Sequence, residues 1–237
     1  MLRKYVTKDS LLGESDFNWR GGEVSRLESL MDGVFAIAVT LLIVSVEVPS
    51  CFSEFVDAMW GFPGFAITFT FLFMIWYAHY LFHRRYGLED YQTMLLNSVL
   101  IFLILFYIFP LKFLATVLIG ELFLNNLLGL QVNFDFDSNF IDMRTIMVVY
   151  GVGLSMIWGV LTLLYRHAYN HRSLLELNHT EIQTTKATIL VYGILSAFGL
   201  ISVTLACILP LHLVGISGWI YCFIGPAIFI ALKINEN

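Results

Sequence analysis

Six runs of mostly apolar residues, each near the roughly 20 that a bilayer-crossing helix needs, follow one another along this chain, at about 29–48, 64–82, 93–117, 146–164, 187–208 and 213–232. The runs are continuous and do not alternate apolar with polar, so a membrane β-barrel is excluded. Composition agrees: 58% of the residues are hydrophobic and 13% charged, against about 45–50% and about 25% in an ordinary soluble domain. A soluble fold of this length cannot hide that much apolar surface. The formal net charge of −5 removes the basic footprint of a nucleic-acid binder. The expected fold class is all-α, a polytopic membrane protein with six transmembrane helices embedded in a lipid bilayer.

Lys and Arg set the orientation. Of the 13 basic residues, all except Lys112 and Arg144 fall in the N-terminal segment, the 2–3 loop, the 4–5 loop or the tail. Both termini are therefore expected to be cytoplasmic. Residues 1–25 read as a cytoplasmic N-terminal arm and 26–237 as the six-span domain. The outer side carries Glu47, Glu54, Asp57, Glu121, Asp135, Asp137 and Asp142. Asp135, Asp137 and Asn139 alternate like calcium ligands, but the glycine and closing glutamate of a calcium loop are missing, and the segment reads as a polar loop. Cys51, Cys207 and Cys222 are odd in number and scattered, which indicates neither a disulfide framework nor a zinc site; they read as small apolar fillers.

Asp32 sits about 7 Å inside the first span. An ionisable group there is costly and marks function by default. Partners follow from depth. His79, Trp76 and Asn97 lie at similar levels on the second and third spans, and Arg26 can reach in from the membrane edge. On a helical wheel of about 100° per residue, Ile37, Leu41 and Val44 lie roughly 120–180° from Asp32 and Thr40 about 80° from it. If Asp32 points into its own subunit, the Ile37 stripe points away, toward lipid, another helix or a central axis. The stripe alone does not distinguish among these.

The run from Arg26 to Leu42, with Arg26 and Asp32 spaced as in R-x-x-x-F-S-D, resembles the first span of the transmembrane protein 175 family of potassium channels. Leu30 and Met31 stand where that signature has Phe and Ser. Trp76-x-x-His79 resembles the family's second span, and Asp90, Asn97 and Pro110 its third. The resemblance implies a homotetramer whose first spans line a central cation pore. Ile37 would form the apolar constriction, Thr40 a hydroxyl ring one turn further out, and Leu41 and Val44 the rest of the narrow wall. Arg26 and Asp32, with Trp76, His79 and Asn97, would form a structural polar network off the pore. An apolar ring gates by dewetting, and potassium gives up its water more cheaply than sodium, so a modest potassium preference is expected. The permeant ion would be potassium, with no cofactor, no metal ligand set and no nucleic acid, in the cell membrane of a prokaryote.

Two other classes deserve weight. His79…His83 and His167…His171 are H-x-x-x-H pairs at the inner membrane edge, and each can grip a metal at i, i+4. Membrane di-iron enzymes also need adjacent His-His pairs; this chain has six histidines and no such pair. A secondary transporter would show related halves with breaks in matched spans, and no internal repeat is visible.

Overall fold

The computed structural model describes residues 17–44, 50–117 and 140–236. Among the described residues every regular element is helical. Helix α1 is Arg26–Val44, begun by Ser25, whose hydroxyl accepts the Glu28 N–H at 3.0 Å as an N-cap does. A short α2, Phe52–Trp60, is separated by Gly61 from α3, Phe62–Tyr86, with Pro63 in its first turn. Helix α3 ends at Gly87, whose φ of 57° is left-handed and whose N–H returns to the His83 carbonyl; only glycine adopts this cap without strain. Asp90 then caps α4, Tyr91–Val117, by accepting the Thr93 N–H at 2.8 Å. Helix α5 is Phe140–Asn170, and α6 is His179–Ile208, opened by a reciprocal capping box between Asn178 and Glu181.

By length and composition, five segments can cross a membrane: Ala58–Tyr86, Tyr91–Leu114, Met143–Asn170, His179–Ile208 and Leu211–Ile234. The chain is a multi-pass membrane protein. Helix α1 has 19 described residues; residues 45–49, which would complete the first expected span, lie outside the described residues, as do Glu121, Asp135, Asp137 and Asn139.

The sixth span is not the continuous helix expected over 213–232. It is built from a 3-10 turn at Leu211–Leu213, a short α7 at Ile216–Trp219, a second 3-10 turn at Ile220–Phe223, and α8 at Ile224–Glu236. Gly215, Gly218 and Gly225 weaken the helix. Pro226 lacks the N–H that would bond back to Cys222, so the turn before it tightens. The third span shows no matching break: α4 runs through Pro110, whose carbonyl accepts the Tyr150 hydroxyl.

Helix α1 packs on α3 and α4, α4 on α5, and α5 along the length of α6. The last pair meets backbone to backbone. A Cβ on Gly199 would stand 2.6 Å from the Gly151 carbonyl oxygen and 2.8 Å from the Ser155 nitrogen, while the Ser196 hydroxyl donates to the Ser155 carbonyl at 2.9 Å. Small residues permit this approach, which is how helices associate in lipid. Gly199→Val should therefore part α5 from α6 and lower stability by more than the about 1–3 kcal/mol of ordinary overpacking. Thermal melting in detergent is the check, and an unchanged midpoint would contradict the packing account.

The three cysteines are free and exposed on the single chain.

Candidate pore face and polar layer

The buried side of α1 is Glu28, Met31, Val34, Phe35, Ala38 and Leu42. The other side is open: Asp32, Gly33, Ala36, Ile37, Thr40 and Leu41 are exposed, Ile37 by 55%. Val44 closes the helix, and its side chain lies outside the described residues. This differs from the wheel reading, in which Asp32 and the Ile37 stripe face opposite ways. Val34 is buried, and the open arc is centred near Thr40, with Asp32 on one flank and Leu41 on the other. Packing against two neighbouring helices claims an arc about 90° round from Asp32. Asp32 therefore sits at the seam between α1 and α3, not behind α1.

At that seam the Asp32 carboxylate accepts the Trp76 indole N–H at 2.9 Å. Trp76 is held by tilted and stacked rings, Phe73 at 5.3 Å and Tyr80 at 5.5 Å. Behind it lie His79, His83 and Asn97, all buried. The two imidazoles are 4.4 Å apart between centroids. The Asn97 amide donates to the Thr93 carbonyl at 2.9 Å and lies 3.5 Å from His83 Nε2. Neither ring nitrogen of His79 has a close hydrogen-bond partner among the described residues, and its ring sits beside Phe35. So the structure joins Asp32 to Trp76 and groups His79 with Asn97 through His83, with no direct bond between the halves among the described residues. Arg26 is exposed and forms no ion pair among the described residues. The arginine that does reach this level is Arg84, 3.7 Å from the buried Glu28 carboxylate.

Trp76→Phe keeps the ring stack and removes the donor to Asp32, so it should lower stability by about 1 kcal/mol. Asp32→Ala should be worse than Asp32→Asn, which keeps a hydrogen-bonding group. Yield of folded protein and melting temperature are the readouts. If both Asp32 variants assemble normally but conduct differently, Asp32 belongs to the pore wall.

Sequence reasoning missed the fastening of the segment before α1. Glu181 is fully buried. Its carboxylate accepts from Arg20 at 3.0 and 2.8 Å and from the Asn18 and Asn178 backbone N–H groups at 2.7 and 2.8 Å. Arg20 also donates to the Leu175 and Glu176 carbonyls. The Arg20 and Gly21 N–H groups bond to the Arg84 carbonyl at the end of α3. A Cβ on Gly21 would lie 2.3 Å from the His83 carbonyl oxygen, so glycine is required there. Asn178-x-x-Glu181 is a legible capping box; its second use as an anchor for Arg20 is not, because nothing local announces it.

Asp90 caps α4 with one carboxylate oxygen and meets His167 Nε2 of α5 with the other. Partial burial alone would raise the Asp90 carboxyl, but the bonds from Thr93 and His167 outweigh it and hold it below the usual carboxylate range.

Residues 26–110 match the family described as Endosomal/lysosomal potassium channel TMEM175. A potassium channel of Marivirga tractuosa is 34% identical over 228 residues, 94% of this chain and 92% of that protein. A potassium channel of Chamaesiphon minutus is 30% identical over 105 residues, 41% of this chain and 52% of that protein. The crystal structure of the potassium channel MtTMEM175, a threonine-to-alanine variant in complex with a nanobody–MBP fusion, superposes with a TM-score of 0.84 and 34% identity, covering 95% of this chain and 98% of that one. A TMEM175 homolog from Chamaesiphon minutus superposes at 0.51 with 24% identity over 88% of this chain and 96% of that one, a likeness of fold alone. These relatives are channels and not enzymes, which removes the di-iron alternative, and the chain belongs to the TMEM175 family of potassium channels.

Proposed function

We propose that the protein is a homotetrameric, modestly potassium-selective cation channel of the prokaryotic cell membrane, with both termini cytoplasmic and α1 lining the pore. The observation that carries this reading is the open face of α1. Other exposed faces are what lipid contact requires: that of α4 presents Phe102, Phe106, Phe109 and Phe113. The open face of α1 instead presents Gly33 and Ala36, then Ile37, Thr40 and Leu41. Small residues let helices approach closely, as α1 helices gathered round one axis must.

With α1 helices around one axis, Ile37 supplies the apolar ring that excludes water and so sets the barrier. Thr40 lies about one turn outward. Its hydroxyl proton is spent on the Ala36 carbonyl at 2.9 Å, which leaves the oxygen lone pairs free to stand in for water around a cation. Leu41 and Val44 continue the narrow wall. Potassium, with the lower dehydration cost, passes more readily than sodium. Asp32 with Trp76, and His79 with Asn97 beside His83, serve as the structural layer that holds α1 against α3 and α4; Arg26, exposed on the single chain, takes no part in it. No Arg-repeat sensor helix occurs in the sequence, so the conductance is a voltage-insensitive leak.

Reconstitution into liposomes under a potassium gradient, followed by bi-ionic reversal potentials, tests the reading. A flux with the reversal potential displaced toward potassium is expected. Equal permeability to sodium and potassium would remove the selectivity claim, and no flux would remove the channel.

A further inference from the structure

The polar layer leaves one cluster of metal-capable side chains unused. His167 and His171 lie at i and i+4 near the end of α5, and Asp90 begins α4. One donor atom from each lies within 4.8 Å of the other two. The H-x-x-x-H spacing puts both imidazoles on one helix face, the arrangement by which helices grip zinc, and their ring centroids are 4.4 Å apart. The fold, not the local sequence, delivers the carboxylate, 77 residues before His167.

We propose that Asp90, His167 and His171 form a binding site for a borderline-soft divalent cation of the zinc class, clamping the start of α4 to the end of α5. Two imidazoles and one carboxylate are three of the ligands zinc takes in tetrahedral sites, with water as the fourth. Each donor is already oriented. His171 Nδ1 lies 3.0 Å from the His167 carbonyl oxygen. That oxygen can only accept, so Nδ1 carries the hydrogen and the lone pair of a neutral ring is on Nε2. A backbone carbonyl holding one ring nitrogen is the usual means of aiming the other at a metal. His167 Nε2 shares a hydrogen with Asp90 Oδ2 at 2.5 Å; on binding, that proton would leave to solvent and the two atoms would part to admit the cation in its place. The other Asp90 oxygen stays on the Thr93 N–H, which fixes the carboxylate. His167 is nearly buried, whereas the Asp90 side chain is 41% exposed and His171 is partly exposed. The ligands can close on an ion, and the ion can enter from solvent. The nearest arginine on this turn, Arg172, is turned to the Tyr169 carbonyl and ring.

The test is zinc titration of the purified full-length channel in detergent, by calorimetry and by thermal melting with and without zinc chloride. The native chain should bind about one zinc per protomer and melt at a higher temperature with zinc, since a ligand held only by the folded state stabilises it. His171→Ala, at a partly exposed position, leaves the Asp90–His167 pair intact; Asp90→Asn keeps the helix cap. Each should weaken zinc binding by more than the roughly 10-fold that loss of an outer-shell partner costs and abolish the zinc-dependent rise in melting temperature. Both variants should melt cooperatively without zinc. Absence of saturable binding in the native chain, or binding that both variants retain at native strength through other histidines, would overturn the proposal.

Discussion

Ile37→Ala is expected to raise single-channel conductance and lower the potassium preference. In the isolated chain Ile37 is one of the most exposed apolar residues of α1, and the account places its side chains at the narrowest level of the assembled pore. Truncating the branch to a methyl in every subunit widens one ring. Water then occupies it, and ions cross without shedding their shells. Ile37→Asn should wet the same ring by polarity instead of by width. Thr40→Ala should act differently. It removes the oxygen that replaces hydration water but leaves the narrowest point unchanged, so selectivity should fall more than conductance rises. Single-channel recordings of the three variants separate the effects. The competing idea, that Ile37 only packs against lipid or a neighbouring helix, requires Ile37→Ala to leave permeation unchanged at a stability loss of about 1–3 kcal/mol. A well-folded Ile37→Ala channel with native conductance and selectivity would remove Ile37 from the pore.

Glu181→Ala is expected to have the largest effect on stability. Its carboxylate receives the Arg20 guanidinium and two backbone N–H groups while fully buried. Removing one partner of such a pair costs about 3–5 kcal/mol when both charges are buried. Arg20 is 20% exposed and recovers part of its solvation, so about 3 kcal/mol is expected. The loss is also directional. Residues 18–21 are tied to α6 through Glu181 and to α3 through the Arg84 carbonyl, and α1 starts at Arg26 shortly afterwards. Releasing the tie frees the end of the helix that carries Ile37. Glu181→Gln keeps an acceptor and should lie between the native chain and Glu181→Ala. The double variant Arg20→Ala/Glu181→Ala should be far less unstable than the sum of the single variants, because the two residues act as one unit. Equal, additive losses would show that the contact does not couple the segment to α6.

The spans were legible because lipid demands long apolar runs and the chain supplies them. The break before α3 has a local cause in Gly61-Phe62-Pro63-Gly64. The same kind of signal at Gly215, Gly218, Gly225 and Pro226 was present but lost, since a hydropathy window averages across glycines that interrupt a helix without changing its polarity. Asp32 announced itself by its cost in an apolar run, and depth alone offered His79, Trp76 and Asn97 as partners, of which Trp76 is the one whose bond to it is seen. The orientation of α1 was not legible. A wheel lists which residues share a face, but the two neighbours that cover a helix decide which face is open, and α3 with α4 covers an arc flanking Asp32. Pairs such as Arg20 with Glu181, or Asp90 with His167, join residues far apart in sequence. No local spacing encodes them; they exist only after α4, α5 and α6 have packed.

The central claim is that the open face of α1 lines the permeation path, and cadmium block of an Ile37→Cys channel tests it most directly. With the native Cys51, Cys207 and Cys222 replaced by serine, thiols from all subunits would converge at one level of the pore. Such a ring binds a soft cation tightly, because thiolates prefer soft metals. The account predicts that cadmium blocks the Ile37→Cys current and leaves the cysteine-free parent channel unaffected. A conducting Ile37→Cys channel that cadmium does not touch would contradict it.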